Sequence, residues 1–273
     1  MTKKRIFLFI AFSYGFYWFF AGLCDLTGSL QDEAGFFFLT TCAMFTPALG
    51  SLLTRYITKE GMQDSLLEIA VKGKGKYYLL AILIPMIYSA IEVVLTVLIM
   101  KTDFDPQALF DELGVSAAGY TASIFFNISV ALALLPVFLG EELGWRGYLF
   151  PKLKEVMPRP AAYAVSGILW GVWHTPAIID GHNFGKDYVG YPYVGILLMC
   201  CFCIAAGIIF SWLTEKAGSV YPAAIAHAVN NNAASLIIAL AGNNTDESMS
   251  PHFFLIGVGA VSIVALLCVR PKA

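Results

Sequence analysis

Apolar runs of membrane length, separated by short polar connections, recur along the whole chain. Because a helix needs ~20 mostly apolar residues to cross the hydrocarbon core, the pattern predicts eight transmembrane helices. They fall over about 5–24, 34–57, 77–100, 119–140, 161–179, 192–213, 220–241 and 252–269. The fourth is expected to continue as helix through "GEELGWRG", Gly140–Gly147. The longest polar connections, 58–76, 101–118 and 141–160, leave no room for a second domain. Residues 1–273 therefore read as a single all-α, polytopic integral membrane bundle.

Composition agrees: 58% of residues are hydrophobic, 13% are charged, and the mean hydropathy is +0.72. Those values exclude an ordinary soluble domain; no nucleic-acid partner is expected, and the net charge of −2 says little about partners because the two faces differ strongly. The charges are sorted along the chain. With the N-terminus in the cytoplasm and eight alternating crossings, 15 of the 17 Lys and Arg residues fall on the inner side; only Lys101 and Lys186 do not. The outer connections hold 11 of the 19 acids. The positive-inside rule then places both termini in the cytoplasm. The first segment follows "KKR" but lacks a small-x-small cleavage site, so it reads as a retained helix. The six cysteines form no paired C-x-x-C framework, and "MCCFC" (199–203) reads as close helix packing. The sequon at Asn243 is expected in an outer loop.

Polar groups inside these segments are the informative ones, because an ionisable side chain in hydrocarbon costs at least about 2.5–3.5 kcal/mol. Three clusters stand out: Glu141, Glu142 and Arg146; Trp170 and His174 in "LWGVWHTP"; and His227 with Asn231 in "AIAHAVNNNAAS". Glu142 and Arg146 are spaced i,i+4 and can pair, leaving Glu141 about 100° round the helix with no obvious partner on it. Trp170 can wall one side of His174, and His227 and Asn231 can face one cavity. At ~1.5 Å per residue, Glu141 and His174 each lie about 20 Å from the ends at Lys154 and Ala161, and His227 about 10 Å from Val220. Each cluster also has a purely structural reading: an ion pair for Glu142–Arg146, an interhelical hydrogen bond for either histidine, polar glue for Asn230 and Asn232. Glu92, in the third segment, belongs to no motif and reads as structural or cavity-lining, and His182 as a solvated loop residue. Together the clusters supply the groups hydrolysis needs: a carboxylate to take a proton from water, histidines to hold or share it, and an amide to donate to an oxyanion.

The ordered set E-E-x-x-x-R, aromatic-x-x-x-H and H-x-x-x-N, spanning 141–231, resembles the CPBP intramembrane proteases. That family includes the CAAX prenyl endopeptidases, of which the Ras-converting enzyme is the best known, and the Abi proteins of bacteriocin processing and self-immunity. The first four segments match it in hydropathy alone, and Trp170 stands where the family pattern usually has Phe. The resemblance implies an endopeptidase acting on lipidated (CAAX-type) or hydrophobic membrane proteins or peptides, with a cavity opening toward the cytoplasmic half of the bilayer. It implies that Glu141 activates water beside His174, that His227 and Asn231 form the oxyanion hole, and that Glu142, Arg146 and Trp170 support them. No cofactor is required in this reading. A zinc-dependent version would use Glu141, His174 and His227 as ligands, although the H-E-x-x-H helix of many zinc proteases is absent. A non-catalytic immunity or scaffold protein and a proton-coupled transporter stand as alternatives. The expected partners are the bilayer and a protein or peptide, prenylated or not. The site would lie in the plasma membrane of a prokaryote or the endoplasmic reticulum of a eukaryote. Oligomeric state and host are not legible.

Overall fold

The computed structural model describes residues 1–28, 33–101, 104–241 and 249–269, and the side chains of all but 33 and 34. The sequon at Asn243 lies outside them. Every regular element among the described residues is helical, without strands. Three long helices cross unbroken: α1 (Thr2–Thr27), α4 (Gly75–Met100) and α11 (Tyr193–Ala217), with α14 (Ser250–Val269) as a fourth. Helices α2 (Glu33–Ala43) and α3 (Thr46–Thr58) continue one another as a fifth span. Large apolar side chains such as Phe19, Phe37, Leu98, Phe126 and Leu266 point outward. That is the surface of a protein whose solvent is lipid. The chain is a multi-pass membrane protein.

The remaining segments are broken, and the expected count of eight crossings is not confirmed by unbroken helices. Five helices are long and apolar enough to span, or six if α5 (Pro106–Glu112) and α6 (Ala117–Ala133), bent by 82°, act as one. The fourth expected segment is α6 followed by α7 (Leu135–Gly144), a π-helical turn π1 (Trp145–Leu149) and α8 (Phe150–Lys154). Helix thus does continue through "GEELGWRG". The fifth is α9 (Arg159–Trp173), which ends at His174 before the short α10 (Thr175–Ile179). The seventh is α12 (Tyr221–Val229), a second π-helical turn π2 (Asn230–Ala234) and α13 (Ser235–Ala239). Pro136 and Pro176 each follow a break by two residues. Proline lacks the N–H that a continuing helix uses and crowds the preceding turn. All three polar clusters sit at these interruptions, where backbone groups are freed and side chains are re-aimed.

Helix α11 is the most enclosed span and packs against α9, α12 and α14; α7 and α12 lie inside the bundle. Glycines set the close approaches. A Cβ on Gly167 would stand 2.4 Å from the Ile204 Cα, and one on Gly171 2.5 Å from the Cys200 Cα. Cys200 and Cys203 are therefore packing residues, as "MCCFC" suggests. Likewise a Cβ on Gly144 would meet Pro47 of α3 at 2.4 Å. Without a hydrophobic force between helices in lipid, such backbone contact is the main source of cohesion.

One end of the bundle carries a charge network. Glu60 accepts from Tyr148 (2.5 Å), Thr58 (2.8 Å) and Lys152 (2.9 Å) and pairs with Arg5 (3.3 Å), while Asp64 pairs with Arg55 and Lys152 (3.3 Å). Lys154 and Arg159 meet Glu215 at the same end. Burial pushes the Glu60 and Asp64 carboxyls up, but their hydrogen bonds and cations outweigh it and hold both below their usual range. A lowered carboxylate stabilises the fold above its unfolded pKa, and that contribution is lost as pH falls through the folded value. Hydrogen exchange of residues 59–74 is therefore expected to accelerate below about pH 4 while α11 stays protected. Uniform exchange across the two would refute the clamp.

Candidate active site

Glu141 and Glu142 leave α7 just ahead of π1 and are almost completely buried. The Glu141 Oε2 accepts from the indole N–H of Trp170 (2.8 Å) and of Trp145 (3.3 Å). Trp145 is thus the partner on its own helix that the i,i+4 reading overlooked, and the same rule could have found it. The Glu142 Oε1 accepts from Arg146 Nη1 (3.0 Å) and from His227 Nδ1 (2.9 Å). The expected ion pair exists and extends to α12. The Arg146 guanidinium lies over the Trp170 ring at 4.0 Å and the Phe210 ring at 5.1 Å, a stacking that a planar cation favours. Phe210 had no local signal, because it comes from α11.

The histidines are held alike. His174, at the α9–α10 break, has Nδ1 2.8 Å from the Trp170 carbonyl. A carbonyl only accepts, so Nδ1 carries the proton and Nε2 of the neutral ring keeps its lone pair. The carboxylate on His227 Nδ1 likewise places a proton on that nitrogen. The Trp170 and His174 rings are 5.9 Å apart, but the main duty of the Trp170 indole is to Glu141. No direct hydrogen bond joins Glu141 to His174 among the described residues; Trp170 links them, its N–H to one and its carbonyl to the other.

His174, His227 and Asn231 line one cavity of about 310 Å³, together with Trp170, Tyr88, Glu92 and Asn230. Glu141 lies behind Trp170 rather than on the wall. Glu92 is cavity-lining, one of the two roles its sequence position suggested. His182 is exposed, yet it stands on the cavity rim with its ring 5.8 Å from that of Phe36. Asn232 donates to the Ala228 carbonyl within its helix, whereas Asn230 does more than bind helices together. Tyr88 donates its hydroxyl to Asn230 Oδ1 (2.5 Å), and Asn230 Nδ2 donates to Asn231 Oδ1 (2.8 Å). The Asn231 oxygen is thus occupied, and among the described residues no acceptor takes a bond from its Nδ2. The rim residues His182, Asn183 and Phe254 belong to the end opposite the Glu60 network. His174 lies fifteen residues along α9 from Arg159, about 22 Å from the basic end.

Among the described residues, no group of three or more His, Cys, Asp or Glu side chains is placed to hold a metal ion. Glu141 instead faces two indole donors.

Residues 122–233 match the family model described as Type II CAAX prenyl endopeptidase Rce1-like. The motif-bearing stretch is thus similar to that family. It runs from within α6 into π2 and contains all three clusters and the whole of π1. The chain is also 30% identical over 100 residues to the CAAX prenyl protease 2 of Methanococcus maripaludis; the match covers 37% of this chain and 36% of that relative. The chain thus aligns with little more than a third of the relative's length. The resemblance read from the three motifs is to this same family.

Proposed function

We propose that the protein is an intramembrane endopeptidase that cleaves lipidated or hydrophobic membrane proteins or peptides by metal-free hydrolysis. The reading rests on one observation: side chains from three separate helices form two hydrogen-bonded sets, Glu142 with Arg146 and His227, and Trp170 with Glu141, which meet where Arg146 lies over the Trp170 ring. Glu141 takes a proton from water through its Oε1, and the lone pair of His174 Nε2 orients that water. The water oxygen bonds to the peptide carbonyl carbon. The oxyanion receives the Asn231 N–H and, from the protonated ring, His227 Nε2–H. Glu141 then passes the proton to the leaving nitrogen as the C–N bond breaks, so one water is consumed and the base is regenerated. Trp170 must yield slightly for Glu141 to meet the cavity.

The test compares peptide termini by mass spectrometry between cells making the wild-type chain and cells making Glu141→Ala at equal abundance. Termini that need Glu141 are expected, and their sequences identify the substrate and show whether it is prenylated. Identical termini favour the immunity or scaffold reading. Activity lost on chelation and restored by zinc would overturn the metal-free step.

Two further expectations follow from the geometry. Tyr88→Phe frees Asn230 to rotate, so kcat is expected to fall by about 10- to 100-fold, the scale of one weakened oxyanion donor, with KM little changed. An equal loss in both constants would mean a merely structural hydroxyl. If the basic end is cytoplasmic, both termini are too, and the cavity rim faces the other side. A cysteine at Asn183 is then expected to react with an impermeant maleimide added outside, and one at Lys4 to stay protected. The reverse pattern would put the cavity on the cytoplasmic side.

A further inference from the structure

The charged side chains buried among the described residues are Arg55, Glu92, Glu141, Glu142, Arg146 and Lys152. All but one have polar partners: Arg55 has Asp64, Lys152 has Glu60, Glu142 has Arg146 and His227, and Glu141 has two indoles. Glu92 is the exception. It is 91% buried (9% exposed), and no described residue hydrogen-bonds to it or pairs with it. An uncompensated carboxylate inside a membrane protein is costly, and one that faces a cavity commonly marks a path or a site.

Its position is specific. Glu92 lines the same cavity as His174, His227 and Asn231, and also an adjoining groove of about 400 Å³ lined by Thr96, Ser235 and Ser250. The carboxylate stands where the two spaces meet, one helical turn beyond Tyr88. Gly257 of α14 makes the room for it: a Cβ there would be 2.8 Å from Glu92 Oε1. Among the described residues no second carboxylate lines either space, so they offer one negative charge on a narrow wall. That suits an organic cation, which brings its own geometry, better than a metal ion, which needs several oxygens.

We propose that Glu92 is the recognition group of a subsite for a basic side chain, lysine or arginine, on the chain bound in this cavity. That the bound chain is a substrate rests on the protease reading; the cation preference is testable without it. A charge-assisted hydrogen bond in such a setting corresponds to roughly tenfold to a hundredfold in affinity.

The test uses the full chain in nanodiscs and two probes that differ only in the ammonium, N-lauroyl-lysine amide and N-lauroyl-norleucine amide. Binding is read from tryptophan emission, since Trp170 lines the cavity. The lysine probe is expected to bind wild type at least tenfold more tightly, and Glu92→Gln, with unchanged thermal unfolding, is expected to abolish the difference. Gly257→Ala keeps the charge but displaces the carboxylate, and is expected to reduce the preference several-fold. Glu141→Gln, which removes the proposed base, is expected to retain it. Equal affinities in wild type, binding of neither probe, or a preference that survives Glu92→Gln overturns the proposal. Tighter binding of norleucine dodecylamide, whose ammonium is a free amino end, overturns the side-chain assignment. If the preference holds but no peptide terminus depends on Glu141, the protease reading fails and the cation subsite stands.

Discussion

Glu141→Gln is expected to lower peptide cleavage by about 10²- to 10⁴-fold, the range for loss of a positioned general base, while leaving thermal unfolding almost unchanged. The two effects separate because the side chain does two things. Its Oε2 accepts from the Trp170 and Trp145 indoles at 2.8 and 3.3 Å, and a glutamine carbonyl oxygen accepts equally well. Its capacity to take a proton has no substitute in an amide. Glu141→Ala is less clean, since it also strands two indole N–H groups, at about 1–3 kcal/mol for each left unsatisfied. The measurement is turnover of a peptide found from Glu141-dependent termini, alongside the unfolding temperature in the same detergent. A glutamine variant that retains full turnover would remove Glu141 from the chemistry and leave the indole-bound carboxylate as a structural element.

Glu142→Ala is expected to destabilise the bundle by about 3–5 kcal/mol, the cost of breaking a buried ion pair from one side. Arg146 would keep its charge between the Trp170 and Phe210 rings, with its Nε already lacking a partner. His227 would lose the acceptor that fixes its tautomer. Replacing both members of the pair, Glu142→Met with Arg146→Met, is expected to recover most of the stability, because well-packed apolar residues can replace a buried pair at little cost. It is not expected to recover activity, because His227 remains unanchored. That split distinguishes an ion pair that only holds helices together from one that also positions the oxyanion site. Recovery of both would assign Glu142 and Arg146 a structural role alone.

Much of the fold was legible because it depends on local composition. Apolar length alone marks α1, α4, α11 and α14, and the sorted charges foreshadow the network that gathers Arg5, Arg55 and Lys152 at one end. The interruptions were not, since a window of hydropathy cannot see that prolines break α7 and α10 from their predecessors, or that π-helical turns interrupt the segments bearing Arg146 and Asn231. Part of the site was equally local. The i,i+4 spacing is enough to pair Glu142 with Arg146, and the same spacing contains the Trp145–Glu141 bond.

What the sequence by itself determined, then, is the set of groups along each helix: which residues share a face, and which are too polar to be there without a role. Which helices meet was decided only by the tertiary structure. Glycine contacts between α9 and α11 and between α7 and α3 fix the spacing, and that spacing turns Trp170 toward Glu141, brings Phe210 under Arg146, and hands Asn231 its orientation through Tyr88 and Asn230. It also leaves Glu92 facing a cavity without a partner. The physical reason is that periodicity acts within a turn or two of one helix, whereas contacts between residues 29 to 142 positions apart depend on side-chain shape across interfaces that no local pattern encodes.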